Sequence, residues 1–396
     1  MKTDSEQRPW YQLRESENLP SPQLIISHDG LRANIDAAIR MAGGPERLRP
    51  HVKTHKSAAV AALQRERGIT RFKCATLAEA QMLADTGARD VLLAYQLLGP
   101  NPQLLCSLVR RYPHTRFAGL LDCLDAMQLL EASCSARRVA LAVFLDLDVG
   151  ARRSGIQPGA EAEELYRRIE RSSWLQAAGI HAYDGHVGES DPARRREQAQ
   201  RSRQAALAVR ERLRGQGLPV PELVMGGTPA FPCHAEAWQE GMTLSPGTYV
   251  YHDWGYATRY PDLPFQAAAL VFGRVISAAY AGQFTIDVGS KAIAADPEQP
   301  RGTILNLPGA VAGPQSEEHW VFRVEGRAAP KVGEAVYVWP RHICPTVEHY
   351  DRVAVIDDGG RVEGYWEVEA RGRALDDPAH PKRSSERASE RASGRE

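Results

Sequence analysis

The sequence predicts a TIM (β/α)8 barrel followed by a smaller all-β domain. From residue 23 onward, short apolar runs alternate with segments of helical periodicity, the pattern of a parallel sheet wrapped by helices. Eight or nine such units in roughly 230 residues fit a closed barrel better than an open doubly wound sheet. After residue 265, strand-like alternation continues without helical periodicity, which indicates a second, all-β domain.

The individual elements follow from these periodicities and from capping residues. The barrel strands are predicted at Gln23–His28, Leu48–His55, Arg71–Thr76, Asp90–Tyr95, Arg116–Leu121, Ala140–Asp146, Ala177–Tyr183, Glu222–Gly226 and Leu244–Val250. The helices between them include Asp29–Met41, Leu77–Thr86, Pro102–Tyr112, Gly159–Ser172 and Pro192–Gln216. The β-domain strands are predicted at Ala267–Ala279, Gln283–Asp287, Trp320–Val324, Ala335–Trp339, Arg352–Ile356 and Arg361–Val368.

These elements divide the chain of 396 residues into four parts. Residues 1–22 form an N-terminal segment that we expect to pack with the β-domain, 23–264 the barrel, and 265–374 the β-domain. Residues 375–396 have almost no apolar side chains and repeat the unit SERA. Because such a tail cannot offset the entropy lost on ordering, we expect it to be disordered.

The overall composition excludes several classes of protein. The 49 basic side chains balance the 49 acidic ones, so no net field attracts a polyanion and nucleic acid is not an expected partner. The charged N-terminus lacks the apolar stretch of a signal peptide, and no run of roughly 18 apolar residues occurs, so we predict a cytoplasmic protein. The six cysteines lack CxxC spacing, which argues against a disulfide framework and a zinc ribbon.

The most informative stretch is Arg49–Lys56, RPHVKTHK, at the end of a predicted strand. Barrel enzymes place their chemistry at this end, and so many cations there indicate an anionic ligand. Strand alternation puts His51, Lys53 and His55 on one face, which makes Lys53 the inward candidate. A desolvated lysine beside other cations has a lowered pKa and can form a Schiff base with an aldehyde. The alternative is a solvated basic rim.

Two glycine-rich turns suit a phosphate group. Gly226, Gly227 and Thr228 follow one apolar strand, and Gly247, Thr248 and Tyr249 come one unit later. Glycines let backbone N–H groups approach an anion, and late barrel loops are the usual phosphate site of this fold. Each alone could be a simple turn. Together with a buried lysine they indicate pyridoxal 5′-phosphate, which needs an amine partner and a phosphate cradle.

Two further strand ends carry polar side chains. Arg153 could approach the cofactor ring, although a strand-end salt bridge is an equal alternative. Tyr183 offers an aromatic face and a hydroxyl. His186 could act as a base, a common role of histidine, although a lone histidine is more often structural.

The β-domain contains a candidate metal site at His342 and Cys344. If the segment is a strand, residues two apart point the same way, and an imidazole and a thiolate can hold one zinc ion. A buried structural cysteine is the alternative. Because magnesium and calcium prefer all-oxygen shells, zinc is the first candidate and manganese the second.

The order of these motifs resembles one enzyme family. The segments RPHVKTHK, FKCATLAEA, DLDVGARRSG, AYDGHVG, GGTP, SPGTYVY, SEEH and HICPTV resemble those of the D-threonine aldolase and D-serine dehydratase group. These are fold-type III pyridoxal-phosphate enzymes with an alanine-racemase-like barrel, and the likeness runs from Trp10 to Val368. It implies that Lys53 is the Schiff-base lysine, that Arg153 and Tyr183 flank the cofactor and that the glycine-rich turns bind its phosphate.

The resemblance also implies a divalent metal on His342 and Cys344 and a head-to-tail homodimer. In this group the aldolases more often have aspartate at the position of Cys344, and the dehydratases have cysteine. The segment YDGH and the opening Trp10-Tyr11 look more like the aldolases.

We therefore predict a lyase for D-β-hydroxy-amino acids, of the D-threonine aldolase type, that releases glycine and an aldehyde. A D-serine or D-threo-3-hydroxyaspartate dehydratase, with Lys53 as base, is the alternative. A non-catalytic pyridoxal-phosphate-binding protein is the third possibility, although it would need neither His342 nor Cys344.

Overall fold

The computed structural model describes residues 9–326 and 328–375. Its strands are β1 Gln23–Ser27, β2 Arg71–Cys74, β3 Asp90–Gln96, β4 Arg116–Leu121, β5 Leu141–Asp146, β6 Leu175–Ala182, β7 Glu222–Met225, β8 Met242–Leu244, β9 Ala269–Tyr280, β10 Gln283–Ile286, β11 Gly302–Ile304, β12 Val311–Gln315, β13 Trp320–Arg323, β14 Ala335–Pro340, β15 Arg352–Ile356 and β16 Val362–Glu367. Its α-helices are α1 His28–Ala42, α2 Ala58–Glu66, α3 Leu77–Asp85, α4 Asn101–Arg111, α5 Leu124–Arg137, α6 Ala160–Arg171, α7 Pro192–Gly215, α8 Phe231–Glu236, α9 Trp254–Arg259 and α10 Ile343–Val347.

The barrel is built from β2 to β8, which pair in parallel in chain order. The extended segment 48–51 lies between the two ends of this sheet: Leu48 bridges Leu244 of β8, and His51 bridges Lys73 of β2. The backbone N–H of Lys73 donates to the carbonyl of Pro50 at 2.9 Å. This segment takes the eighth strand position, so the predicted TIM-like barrel with a C-terminal β-domain is confirmed.

The barrel interior is apolar, with one buried cation. Its apolar side chains are Leu92, Ala118, Leu120, Ala142, Phe144, Ala178 and Val224. The guanidinium of Arg49, fully buried, pairs with Asp90 at 2.6 Å and with Glu222 at 2.9 Å. Because a buried charge is tolerated only when it is paired, these carboxylates fix Arg49 inside the barrel. Arg49 therefore does not belong to the ligand-binding cations predicted for RPHVKTHK.

The first predicted barrel strand belongs instead to the second sheet. β1 pairs antiparallel with β9 and parallel with β15. That sheet runs β12-β13-β10-β9-β1-β15-β16, with β14 also pairing β9 and β11. Leu24, Ile25 and Ile26 are all fully buried. A strand apolar on both faces shows no alternation, so its periodicity cannot indicate which sheet it joins.

Two predicted strands are shorter than expected. Leu48–His55 ends as an extended segment at His51 and continues as a 3-10 turn, Val52–Thr54. Leu244–Val250 is replaced by β8, which ends at Leu244, and by a second 3-10 turn, Thr248–Val250. Both turns lie at the mouth of the barrel, where the backbone leaves the sheet and strand alternation no longer applies.

Five helices were not predicted: α2, α5, α8, α9 and α10. The last three have only five or six residues each, too few for a clear 3.6-residue period. In α5 the apolar residues are spread around the helix rather than along one stripe.

The described part of the N-terminal segment packs on the β-domain. Leu13 and Leu19 are buried against Phe272 and Tyr337, and Trp10 packs beside them. The predicted disordered tail, 375–396, lies outside the described residues except for residue 375. Within the described part of the chain, no helix is both long and apolar enough to cross a membrane.

Candidate active site

A cavity of about 420 Å³ lies at the carboxyl ends of the barrel strands. The side chains that form its polar wall are His51, Lys53, Lys73, Gln96, Arg153, Ser154, His181 and Tyr183. Four of the residues predicted from sequence, His51, Lys53, Arg153 and Tyr183, thus line one space. Lys73, Gln96, Ser154 and His181 were not predicted.

Lys53 lies on the 3-10 turn Val52–Thr54, not on a strand, and its side chain is exposed to the cavity. The turn places His55 in the protein interior, where burial lowers its pKa to about 3. The predicted common face of His51, Lys53 and His55 is therefore wrong, because a 3-10 turn does not alternate. His51 caps the turn, its Nδ1 accepting the backbone N–H of Lys53 at 3.2 Å. Burial, then the charges of Lys73 and Lys53, hold the pKa of His51 well below its usual range.

The cavity is cationic. Within the described residues, Lys53, Lys73 and Arg153 form no ion pair, whereas Lys56 is neutralised by Glu79 at 2.5 Å. Burial, followed by the charge of Lys53, lowers the pKa of Lys73 to about 7. The sequence signal for this residue was a lysine in the middle of the predicted strand Arg71–Thr76, between Phe72 and Cys74.

The ring of Tyr183 lies between two of these cations. The Nζ of Lys73 is 5.3 Å and the Cζ of Arg153 is 4.9 Å from the ring centroid. Cations at these distances are attracted to the ring quadrupole. Tyr183 therefore helps to keep two like charges within one small space.

His181 and Asp146 form a buried pair at the ends of β6 and β5. The Nδ1 of His181 lies 2.8 Å from an Asp146 carboxylate oxygen, and the other oxygen accepts from Gln96 at 3.0 Å and Ser154 at 3.1 Å. Within the described residues the buried Nε2 of His181 has no hydrogen-bond partner. A buried polar atom without a partner indicates that a ligand meets it.

The two glycine-rich turns adjoin each other beside this cavity. The N–H of Gly247 donates to the Thr228 hydroxyl at 3.2 Å. A Cβ on Gly227 would lie 3.2 Å from the ring of Tyr183, and one on Gly247 would lie 3.1 Å from the carbonyl oxygen of His51. Gly226 has φ +85°, which favours glycine. The turns are thus packed too closely for side chains, as a backbone cradle for phosphate requires.

A buried carboxylate anchors the first turn. Asp184 accepts the N–H of Gly227 at 3.3 Å and pairs with the Nε2 of His234 at 2.5 Å. Both Asp184 and His234 are fully buried. Burial raises the pKa of Asp184, but the charge and hydrogen bond of His234 outweigh it and lower that pKa.

Two predicted site residues point elsewhere. The hydroxyl of Tyr249, fully buried, accepts from Gln64 at 2.8 Å in the core and does not line the cavity. His186 is exposed, and its Nε2 lies 3.3 Å from the Ser202 hydroxyl on α7. Tyr249 lies within the 3-10 turn Thr248–Val250 and not on a strand. The direction of a side chain in a turn cannot be predicted from strand alternation.

The barrel itself identifies the family. The family model described as alanine racemase, N-terminal domain, matches residues 26–253, more than half of the chain. The chain belongs to the alanine racemase N-terminal domain family. A second family model, described as a putative serine dehydratase domain, matches residues 268–356 of the β-domain.

Individual members of the family are similar along nearly the whole chain. The D-threonine aldolase of Arthrobacter sp. is 29% identical over 364 residues, covering 89% of this chain and 93% of that protein. The D-threo-3-hydroxyaspartate dehydratase of Delftia sp. strain HT23 is 28% identical over 379 residues, covering 88% and 97%. The crystal structure of D-threonine aldolase from Filomicrobium marinum has a TM-score of 0.84 at 27% identity, covering 90% and 96%.

Pyridoxal phosphate, the cofactor of these family members, fits the residues of this cavity. An anionic aldehyde finds unpaired cations in Lys53, Lys73 and Arg153, a closely packed backbone cradle and the unpartnered Nε2 of His181. An exposed lysine next to the cradle can reach an aldehyde carbon. The sequence-predicted cofactor is thus compatible with the geometry of the barrel mouth.

The candidate metal residues lie on a helix end, not on a strand. His342 precedes α10 and Cys344 lies within its first turn. The Nδ1 of His342 lies 2.5 Å from a carboxylate oxygen of Asp296. Cys344 Sγ lies 3.2 Å from the Thr54 hydroxyl. The side chains of His342 and Cys344 still contact each other through a hydrogen bond. They can do so because His342, the residue before the helix, has an extended backbone.

The two candidate ligands favour their charged forms. Burial works against ionisation, but Cys344 and then Asp296 raise the pKa of His342 to about 9. Burial likewise raises the pKa of Cys344, but the hydrogen bond of His342 and the charge of Lys53 outweigh it and lower that pKa. Within the described residues no group of three or more histidine, cysteine, aspartate or glutamate side chains is arranged to hold a metal ion.

Proposed function

We propose that this chain is a pyridoxal-phosphate lyase that cleaves D-β-hydroxy-amino acids to glycine and an aldehyde. One observation carries the proposal: the Cys344 thiol of the β-domain lies 3.2 Å from Thr54, the residue that follows Lys53. A thiolate and imidazole pair therefore adjoins the only exposed lysine of the cavity wall within the described residues. The D-threonine aldolases of Arthrobacter and Filomicrobium, which are similar over nine-tenths of the chain, support the same reaction.

In this proposal Lys53 would hold the cofactor through its aldehyde, and its amine would be free when the substrate amine is bound. The turns Gly226–Thr228 and Gly247–Thr248 would form the cradle for the phosphate, and Arg153 and Tyr183 would flank the ring. When bound, pyridoxal phosphate supplies an electron-withdrawing ring that stabilises negative charge at Cα.

His342 and Cys344 would hold a divalent metal ion, with zinc first and manganese second, and Asp296 would orient the imidazole. A metal ion supplies a Lewis acid beside the hydroxyl of the substrate. The Lys53 amine, released when the substrate amine binds, stands next to Cys344 and can accept the hydroxyl proton. As the Cα–Cβ bond breaks, its electron pair would stay on Cα and Cβ would leave as the aldehyde; the proton taken up by Lys53 would then pass to Cα and give glycine.

His186 was the sequence-based candidate for this base. Its exposed ring faces Ser202 rather than the cavity wall, so Lys53 is better placed for the proton transfer. The pH profile of a His186→Asn variant distinguishes the two: an unchanged profile agrees with Lys53, and loss of one limb agrees with His186.

The first experiment tests the cofactor. Borohydride reduction of the protein with bound pyridoxal phosphate should fix a pyridoxyl group on Lys53, found by peptide mass spectrometry. Lys53→Ala should lose this label and the absorption band of the bound cofactor. A wild-type protein without either signal, after pyridoxal phosphate is supplied, would contradict the proposal.

The second experiment tests the reaction. D-Threonine should yield glycine and acetaldehyde, whereas release of 2-oxobutanoate and ammonia would indicate a dehydratase. The dehydratase is retained as an alternative because Cys344 offers a thiolate, and because this chain is also similar to the D-threo-3-hydroxyaspartate dehydratase of Delftia sp.. A protein that binds the cofactor and turns over neither D-threonine nor D-3-hydroxyaspartate would be a non-catalytic binder.

The third experiment tests the metal. A chelator should remove activity and leave the absorption of the bound cofactor intact, because the two groups use different residues. Cys344→Asp should shift metal preference from zinc toward manganese. If it changes neither metal content nor activity, Cys344 is a packing residue.

We also propose a head-to-tail homodimer. Light scattering can measure whether the protein is a dimer in solution.

A further inference from the structure

Lys73 is a buried amine that the proposed reaction does not use. It lies on β2, is 2% exposed and lines the cavity. Within the described residues, its ammonium group makes no ion pair and no hydrogen bond, and its contact is the ring of Tyr183 at 5.3 Å. Burying an amine that has no hydrogen-bond partner is unfavourable. We therefore expect a bound ligand to supply the partner that the Lys73 amine lacks.

The charges around Lys73 leave it without a counter-ion. Lys53 and Arg49 disfavour its proton, and Asp184 and Asp146 favour it from a distance. Each of these carboxylates has a closer partner, since Asp146 binds His181 and Asp184 binds His234. Lys73 therefore exchanges its proton near pH 7, and an arriving anion would favour its charged form.

His181 provides an independent sign of a ligand at the same place. Its side chain is 6% exposed, it lines the cavity, and its Nε2 has no partner within the described chain. Burial lowers the pKa of His181, Asp146 opposes this, and the charge of Lys73 lowers the pKa further. His51, which bridges Lys73 on the neighbouring strand, has its pKa held well below its usual range by burial and then by the charges of Lys73 and Lys53. An anion would shift His181, like Lys73, toward its charged form.

We infer that Lys73, with His181 beside it, forms an oxyanion-binding subsite within the cavity. The inference rests on the proposed function, because the oxyanion would come from one of the two molecules proposed to bind there. One source is the phenolate oxygen of the cofactor, and the other is a carboxylate of the amino-acid substrate. Arg153 and Lys53 then remain for the other ligand groups.

The first arm of the test examines the cofactor as the source. Apoprotein is titrated with pyridoxal phosphate and with its 3-O-methyl analogue by calorimetry in two buffers of different ionisation enthalpy. If the phenolate binds here, K73M weakens pyridoxal phosphate about 10- to 100-fold, the loss expected for one charge-assisted hydrogen bond, and leaves the analogue unchanged. At pH 8, wild-type protein takes up close to one more proton than K73M. At pH 6, where Lys73 is already charged, this difference disappears.

The second arm examines the substrate. Cofactor-loaded protein is titrated with glycine and with ethanolamine, which has the amine but no carboxylate, and the absorption change gives the affinity. If the carboxylate binds here, K73M weakens glycine about 10- to 100-fold and leaves ethanolamine unchanged. K73R keeps a charge, so it should retain affinity while losing the pH dependence of proton uptake.

K291M is the matched control, since Lys291 is an exposed lysine paired with Glu317 outside the cavity. The inference is overturned if K73M, folded by circular dichroism, matches K291M in both affinities and in proton uptake. If instead borohydride fixes no pyridoxyl group on Lys53 in the wild-type protein, the proposed function fails, and calorimetry of K73M with inorganic phosphate and acetate still tests the subsite. Loss of proton uptake with either anion supports it, and unchanged uptake with both overturns it.

Discussion

Replacement of Asp184 by alanine tests how the phosphate turn is held. Asp184 follows β6 and is fully buried. It pairs with His234 at 2.5 Å and accepts the N–H of Gly227 at 3.3 Å. Arg203 of α7 contacts the other ring nitrogen of His234 at 3.4 Å. The substitution therefore leaves a buried imidazole and a backbone N–H without their acceptor.

The expected loss is large because both partners are inaccessible to water. Removing one member of a buried ion pair costs about 3–5 kcal/mol of the free energy of unfolding. Asp184→Asn keeps an acceptor for Gly227 and should cost about 1–3 kcal/mol. The pKa of Asp184 is lowered in the folded state, so its contribution is present above the unfolded-state pKa of about 3.9 and is lost as pH falls through the folded-state value.

Urea unfolding followed by fluorescence measures the changes in the free energy of unfolding. Titration with pyridoxal phosphate measures the affinity for the cofactor, which reports on the turn proposed to bind its phosphate. Glu236→Ala is the matched control, because the pair of Glu236 with Arg196 is more than half exposed and is screened by water. We expect Asp184→Ala to weaken the cofactor as well, and Glu236→Ala to leave it unchanged. If Asp184→Ala loses no more stability than Glu236→Ala, the reasoning about the buried pair is wrong.

Three further predictions concern other parts of the fold. Burial lowers the pKa of His252 to about 4, so between pH 6.5 and 4 the unfolded chain binds a proton that the folded chain does not, and stability falls on acidification. His252→Asn, which tolerates the left-handed backbone there, should reduce that loss by about 3 kcal/mol in urea titrations at pH 7 and pH 4, and parallel curves would contradict this. A Cβ on Gly179 would lie 1.9 Å from a backbone oxygen of β7, so Gly179→Ala should prevent soluble folding. Gly364 has open space around it, so Gly364→Ala should fold normally. Equal solubility of the two variants would refute the packing argument. Asp296→Ala should weaken metal binding by His342 about 10- to 100-fold in a competition with a chromogenic chelator, and an unchanged affinity would show that the carboxylate does not orient the ring.

The unpredicted site residues had weak signals in the sequence. Lys73 lies between Phe72 and Cys74 and alternates with Arg71, so the sequence fits a lysine that points outward as well as one that points into the barrel. Asp146, His181 and Asp184 were visible in the sequence as strand-end residues, but their partners were not. Asp146 pairs with His181, 35 residues away, and Asp184 pairs with His234, 50 residues away. Such pairing depends on which strands are neighbours, and no local pattern contains that information.

The sequence by itself determined the barrel and the β-domain, because apolar periodicity reflects which faces of each element are buried. It also determined the motifs at the ends of the strands, and Lys53, His51, Arg153 and Tyr183 all reached one cavity. Tertiary structure alone decided that β1 joins the second sheet, since a strand buried on both faces carries no alternation. It also decided that Arg49 and Lys56 are paired with carboxylates, whereas Lys53, Lys73 and Arg153 form no ion pair within the described residues. The reason is that only folding brings a carboxylate next to a distant cation.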